Sequence, residues 1–403
     1  MRVTAGCSGA QVSSRKTKWR GLHKRWGEEK ELTMKHRAVL SILILLFLCA
    51  TSTVAAADIW AISRNGENGT VHISKNGKVS LGPAIPGIAR DLALTKDGTY
   101  LYVTFSDLGC GRPTCNGEGI AVIDTKLESV VAQIGPIKDP RRMAIDETDS
   151  ILYVLSGDGI QKYDISPLPT GGRSNQRTGW NDISQPTDTS GIDTRQGDLA
   201  IASFFQTYWA IHYCGDALWV DGLSSCIGIG LPAVSDPNWL GYRINDVMIS
   251  PDRQSVFGAL STPGTTFQFN PERTGNLMAF DVRGNPYGLV TTVMLFGSAG
   301  VFRLANVGTR FYATTDNDGM LYCGDFTGAT YPPRPLGIRL TGMVYGYDGK
   351  LYVADGDGGV IYPITLGGAP ARDRVGKGYV MPVTHSDGGR FQPGAIAVGP
   401  PVR

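Results

Sequence analysis

The 403-residue sequence is short of charge and of histidine. Asp, Glu, Lys and Arg supply 18% of it, against about a quarter in an ordinary soluble chain, which argues against long solvated helices. Of five histidines, only His72, His212 and His385 follow residue 57, too few for a histidine-rich copper or zinc centre. No Cys-x-x-Cys-His occurs, so nothing points to covalently attached c-type haem. A nucleophile elbow, a phosphate loop and a zinc-protease helix motif are missing as well. Glycine is what the chain has in excess, 53 residues, as suits a fold of many tight turns.

The first 57 residues read as a leader. Residues 38–48, AVLSILILLFL, have the length of a signal-peptide core and are short for a bilayer span. Lys35 and Arg37 flank this run, and Ala55-Ala56-Ala57 ends in a small-x-small cleavage pattern. The expectation is a signal peptide over 34–57, a mature start at Asp58 and no retained membrane span. Residues 1–33, upstream of Met34, read as a non-native or mis-assigned extension. The leader carries 10 Lys+Arg and 3 Asp+Glu of the chain's 38 and 36, which leaves 28 against 33, or about −5. That balance gives no nucleic-acid footprint. An exported, periplasmic or extracellular chain can hold disulfides. Cys110 with Cys115, enclosing a Gly/Pro loop, and Cys214 with Cys226 are the expected local pairs, and Cys323 is left over.

A repeat runs through residues 58–403. DLALTKDGTYLYVTFSD from Asp91, MAIDETDSILYVLSGDG from Met143 and DVMISPDRQSVFGALST from Asp246 share one pattern. It returns in GTRFYATTDNDGMLYCGDF from Gly308 and GMVYGYDGKLYVADGDGGVIYPI from Gly342. Each copy is a short apolar strand, an Asp/Gly turn and an aromatic-valine strand, followed by a Gly-rich hairpin and a third strand. A less regular fourth strand, such as SVVAQI from Ser129, completes a blade. About seven copies of roughly fifty residues predict an all-β, seven-bladed β-propeller. The irregular copy begins at Asp198 and lacks the Asp/Gly turn. The segment from Asp58 lacks a first strand, while GAIAVGP from Gly394 is an isolated first strand. Joined, the two make one composite blade and leave no open edge.

LYVTF at 101–105, LYVLS at 152–156 and LYVAD at 351–355 resemble the YVTN-type β-propeller repeat, over most of 58–403. Segment 166–196 departs from it. Proteins with this repeat include surface-layer propellers, lactonase-like proteins and the propeller subunits of quinoprotein amine dehydrogenases. The resemblance therefore implies a fold more sharply than an activity.

In such a blade, connections between strands two and three share a face with the crossings to the next blade. That face is expected to carry nearly every insertion: 106–118, 166–196, 234–242, 262–275 and 385–393. First strands line the central channel and start on that face. The repeat alignment places Arg90, Asp91, Arg141, Arg142, Asp198, Asn245, Asp246 and Thr341 at the channel mouth. Asp91, Asp198 and Asp246, with the Asn245 carbonyl, are candidate oxygen ligands for Ca²⁺. DNDG at 316–319 and DGDGG at 355–359 are read as turns. Trp180 and Trp239 fall in face loops, Trp209 and Trp219 in strands. Three functions fit. The first is an exported binding or interaction scaffold, taking a protein or small polar ligand on the insertion-rich face. The second is a lactonase-like or metal-assisted hydrolase at the channel mouth. The third is a propeller subunit of a periplasmic quinoprotein-type oxidoreductase, implied by the resemblance alone.

Overall fold

The computed structural model describes residues 57–400 except 64–68, 108–116, 147, 149, 158, 167–176, 182–187, 197, 206–207, 215–225, 231–242, 262–275, 282–288, 296–300, 316–317, 328 and 385–388. For strand residues 177–181, 188–190, 203–205, 208–210, 212, 214, 226–230, 243, 260–261, 276–281 and 289–295 the backbone alone is described. Two units divide the chain, Met1–Val54 and Ala55–Arg403, and all described residues belong to the second.

Antiparallel strands account for almost all of the regular structure, and among the described residues they form seven sheets. Sheet 1 runs, in hydrogen-bonded order, Pro393–Val398, Ile59–Ser63, Thr70–Ile73 and Val79–Leu81. Sheet 2 is Ile88–Leu94, Tyr100–Ser106, Gly119–Asp124 and Ser129–Ile134. Sheet 3 is Arg142–Ile145, Ile151–Ser156, Gly159–Asp164 and Arg177–Asn181. Sheet 4 is Asp188–Arg195, Asp198–Phe205, Tyr208–Cys214 and Cys226–Gly230. Sheet 5 is Arg243–Ile249, Ser255–Ser261, Asn276–Asp281 and Leu289–Leu295. Sheet 6 is Val301–Val307, Arg310–Thr315, Met320–Asp325 and Thr330–Pro335. Sheet 7 is Leu340–Tyr345, Lys350–Asp355, Val360–Thr365 and Arg374–Val375, with Tyr379–Val380 also on its third strand. The first strands touch in cyclic order, sheet 1 to sheet 2 and so on until sheet 7 returns to sheet 1.

The apolar runs of the second strands follow from this stacking. A sheet covered on both faces has no solvent side, so its strands lose the polar half of the period-2 pattern. Leu101, Val103 and Phe105 pack on Trp60 and Ile62 of sheet 1. Tyr102, between them in sequence, points the other way onto Leu152 and Val154 of sheet 3. Tyr153 and Leu155 repeat the arrangement against Leu199 and Ile201, and Tyr352 and Ala354 against Ile59 and Ala61. Each such side chain taken from water contributes about 1.5–3 kcal/mol. The outer strands are more exposed instead, as Ser129–Ile134, Val79–Leu81 and Thr330–Pro335 are, because one edge of the sheet faces solvent.

Sheet 1 is made from both ends of the described chain. Ile59 pairs with Val398 and Trp60 with Ala397, and Gly399 N donates to Asp58 O at 2.8 Å. The composite sheet expected from the incomplete first and last repeats is present. Sheet 4 departs from expectation: Asp198 opens its second strand, and its first is Asp188–Arg195, DTSGIDTR. That strand has one aliphatic residue, Ile192, beyond its small and polar ones, so it carries no apolar strand signal. The presumed insertion 166–196 accordingly contains two strands. Among the described residues no helix is long and apolar enough to cross a membrane.

A β-bulge recurs near the start of the first strands. It falls at Ala89/Asp91, Thr189/Gly191, Ile244/Asp246, Val301/Arg303 and Leu340/Gly342. The extra residue in each re-aims the side chains that follow. Close backbone approach accompanies it: a Cβ on Gly342 would stand 2.0 Å from Gly394 O. Gly342→Ala is expected to destabilise by about 1–3 kcal/mol through forced separation of sheets 7 and 1. Gly368→Ala, with no atom within 4 Å of the new methyl, should leave the melting temperature nearly unchanged. Circular-dichroism melts compare the two, and equal midpoints would show that the sheets do not approach this closely.

Candidate functional site

Because every first strand starts at the same end, residues far apart in sequence meet around the channel. Arg90, Asn245, Phe302 and Thr341 are the extra residues of four bulges, and Asp91, Asp246, Arg303 and Gly342 follow them. Sheet 3 contributes Arg142 from the start of its first strand. Arg141, one residue earlier, has its Nη2 2.6 Å from Asp139 Oδ2 and lines neither of the two cavities described below. Of the eight positions expected at the mouth, Asp198 is misplaced. It sits at the opposite end of sheet 4, where its Oδ2 lies 3.1 Å from Arg253 Nε of sheet 5 and accepts from Tyr213 Oη at 2.5 Å. The repeat alignment was shifted there by one strand.

The channel-lining polar groups also join neighbouring sheets. Asp91 Oδ2 accepts from Met143 N at 2.9 Å, and its Oδ1 lies 3.3 Å from Arg142 Nη1. Asp193 Oδ2 accepts from Ile249 N at 2.7 Å, and Asp246 Oδ2 from Leu304 N at 3.1 Å. Three carboxylates thus reach one sheet onward and accept a first-strand amide. Asn245 Nδ2 donates to Val301 O at 2.7 Å and Thr341 Oγ1 to Pro393 O at 2.6 Å. Buried polar groups paired in this way contribute about 1 kcal/mol each, and leaving one unpaired costs more.

These carboxylates do not share one electrostatic state. Burial raises the Asp91 pKa above the usual carboxylate range, with Arg142 opposing it. Burial pushes Asp246 up to about 7; the more distant Arg142 and the Leu304 amide restrain the rise, and Asp193 adds to it. Asp246 therefore exchanges its proton near neutrality inside the channel.

Two cavities share Arg303 and Ala395. The upper, of about 510 Å³, lies at the bulges and is lined by Arg90, Phe302, Arg303, Arg339 and Thr341 among others. The lower, of about 260 Å³, is lined by Asp91, Arg142, Asp246 and Arg303 with apolar neighbours. Arg303 Nε donates to Thr341 O at 3.3 Å, and its guanidinium carbon stands 4.5 Å from the centre of the Phe302 ring. Phe302, Arg303, Arg339 and Asp193 were missed in the sequence. VFRLANV and DTSGIDTR could have shown Arg303 and Asp193 had they been aligned as first strands.

No set of three His, Cys, Asp or Glu side chains able to hold a metal ion occurs among the described residues. The Asp91, Asp198 and Asp246 set for Ca²⁺ is not assembled, since Asp198 stands at the far end of its sheet. The Asp355 carboxylate in DGDGG accepts from Gly358 N within the turn, as expected, and also from the amides of Ile338 and Arg339 in the segment before the first strand of sheet 7. Cys110 and Cys115 lie outside the described residues. Cys214 and Cys226 are register partners on adjacent strands, but their side chains are outside the description. Cys323 is free and buried, and burial pushes its thiol up to about 11. Trp180, Trp209, Trp219, Trp239, His212 and His385 likewise have no described side chain.

On the opposite face, His72 stacks on Trp60 with ring centroids 4.3 Å apart. Its Nδ1 lies 3.0 Å from Glu128 Oε1 and its Nε2 3.4 Å from Asp58 Oδ1. Burial works against the imidazolium, but the two carboxylates outweigh it and raise the His72 pKa.

No family model matches the chain, and no curated protein matches it. Solved structures do. A candidate 6-phosphogluconolactonase from Bacteroides fragilis aligns over 86% of this chain and 99% of its own, at 11% identity and TM-score 0.57. A protein of unknown function from Desulfotomaculum acetoxidans covers 86% and 99%, at 16% identity and 0.55. Kuenenia stuttgartiensis hydrazine synthase covers 72% and 86%, at 13% identity and 0.53. At such identities the likeness is one of fold, and the fold is a β-propeller.

The raised groups set the sign of a pH dependence. A group whose folded pKa exceeds its unfolded one contributes stability that is fully present below the unfolded value and is lost as pH rises through the folded one. Asp246 and His72 both act in this sense. The thermal midpoint should fall between pH 5 and pH 8. Asp246→Asn should flatten the part near pH 7, while costing about 1 kcal/mol at every pH for a lost amide acceptor. Melts across that range check this; an unchanged slope in the variant would assign the dependence to other groups.

Proposed function

We propose that the leader over 34–57 exports the chain, and that residues 58–403 form one seven-bladed β-propeller of the YVTN type. The seven sheets and their cyclic contacts support the blade count. The propeller acts as a binding scaffold: its insertion-bearing face presents the channel mouth to a small polar ligand or to a projecting segment of a partner protein. One observation carries this reading. A cavity of about 510 Å³ opens at the bulges of three first strands, those of sheets 2, 6 and 7, and Arg90, Arg303 and Arg339 come to it from three separate stretches of chain. That volume falls in the range of small-molecule sites, roughly 300–1,000 Å³. Loops on a rigid scaffold are where recognition residues gather.

A hydrolase of the lactonase-like kind is the second reading, supported by a carboxyl group that titrates near pH 7 in the lower cavity. Both Asp246 oxygens already accept backbone amides, which favours a structural role and places binding ahead of catalysis.

Thermal-shift screening of the purified protein with a mixed panel of small polar compounds tests the scaffold reading. Stabilising compounds are expected to lose most of their effect in Phe302→Ala, which removes the ring behind Arg303. The same panel should include γ- and δ-lactones followed for ring opening. Turnover abolished by Asp246→Asn would put the hydrolase first, and stabilisation indifferent to Phe302→Ala would remove the mouth from consideration.

A further inference from the structure

We propose that the cleft between the outer halves of sheets 6 and 7 binds a small aromatic carboxylic acid, its ring in the cleft and its carboxylate on Arg334. The cleft shares no lining residue with either channel cavity, so its occupancy does not depend on what the mouth binds.

The first argument is shape. The cleft encloses about 300 Å³. A cavity of about 150 Å³ lined by Leu, Ile and Phe is enough to hold benzene, so one ring with a short acidic arm has room here. The floor is the seam between the two sheets, where Leu321 and Cys323 of sheet 6 and Ile364 of sheet 7 belong to one buried cluster. Two irregularities open the outer side. In sheet 6, Leu321 pairs with Arg334 and Cys323 with Tyr331, so Pro332 and Pro333 together stand opposite Tyr322 and the outer strand bulges. Neither proline has an N–H to give the ladder. In sheet 7 the outer strand is cut to Arg374–Val375, and the 3₁₀ turn Pro370–Arg372 precedes it. Arg334 spans the gap, with Nη1 donating to Asp373 O at 2.8 Å and Nη2 to Pro370 O at 3.4 Å. That bridge ties the strand to the turn, so the cleft is formed before any ligand arrives.

The second argument is charge. Two guanidinium groups meet one carboxylate beside the cleft. Asp373 Oδ2 accepts from Tyr312 Oη at 2.5 Å and Oδ1 from Gly367 N at 2.8 Å, while Arg310 Nη1 stands 3.8 Å from Oδ1. That Arg310 nitrogen is buried and makes no hydrogen bond among the described residues. Arg334, half-buried in the wall of the cleft, donates to carbonyl oxygens only. Its other N–H groups have no partner among the described residues. A guanidinium already held in place loses little freedom when a planar carboxylate closes on it. An organic cation would meet two arginines here, and a neutral ring would leave the Arg334 donors unused.

Calorimetric titration of the purified protein, at matched ionic strength, tests this with phenylacetate, benzyl alcohol and acetate. Phenylacetate should bind saturably. It should bind about tenfold or more tighter than benzyl alcohol, which has the ring without the charge, and than acetate, which has the charge without the ring. Arg334→Gln should weaken phenylacetate by a similar factor and leave benzyl alcohol unchanged, and Arg334→Lys should retain part of the difference. Ala371→Trp, on the exposed turn that walls the cleft, should weaken both aromatic compounds. Lys126→Gln, on an exposed turn of sheet 2, should weaken neither. Absence of saturable phenylacetate binding overturns the proposal, as does phenylacetate no tighter than benzyl alcohol or acetate. So does an Arg334→Gln protein in which the two aromatic compounds are affected alike. Should Arg334→Gln fail to fold, Arg334→Lys and Ala371→Trp decide, and binding untouched by both sinks the idea. Phenylacetate binding lost in Phe302→Ala but kept in Arg334→Gln would move the ligand to the channel mouth and overturn the cleft.

Discussion

Pairing of Pro393–Val398 with Ile59–Ser63 is the contact on which the rest of the architecture depends. Stacked sheets bury apolar residues on both faces only while every sheet has a neighbour on each side. Without this pairing, sheet 1 would lack its first strand, and the first strand of sheet 7 would lose the partner it touches. Ile59, Ala61, Tyr352 and Ala354, now in one cluster, would face water. The polar bonds at this seam, Thr341 Oγ1 to Pro393 O and Gly399 N to Asp58 O, add direction to a contact whose strength is apolar.

A second constraint acts at the inner rim. First strands converge, so their side chains have less room than those of outer strands, and the bulges place one extra residue near the strand starts. Asp91, Asp193 and Asp246 use the crowding to reach a neighbouring sheet's amide. Cavity-facing residues and fold-holding residues consequently alternate along a single strand. Arg90 faces the mouth cavity while Asp91 is buried beside it, and Phe302 and Arg303 share the same bulge. The first kind of position can vary while the second keeps the sheets registered.

The far ends of the sheets use charge differently. Asp198 with Arg253, and Asp373 with Tyr312 and Arg310, fasten adjacent sheets at buried or half-buried seams. Those contacts serve packing, and the same residue type at the two ends of a first or second strand has two roles. Asp198 was assigned to the wrong one because a strand with a single large aliphatic residue, Ile192, precedes it. A channel-facing strand has no need of the apolar alternation by which strands are recognised, since part of its surface meets the channel and not a core.

The sequence by itself determined the period-2 strands, the Asp/Gly turns between them, the repeat and the split of one sheet between the two ends of 58–400. All of these are local or periodic, and period and turn chemistry are written residue by residue. It also put Arg90, Asp91, Arg142, Asn245, Asp246 and Thr341 on first strands, because equivalent positions of a repeat fall on equivalent strands. Tertiary structure alone decided that Arg303 and Arg339 join Arg90 in one cavity, that Asp91 and Asp246 lie beneath them, and that Asp198 is elsewhere. Those outcomes depend on bulges and on the pairing of a polar strand, which leave no periodic trace, and on distances across the channel that no local spacing encodes.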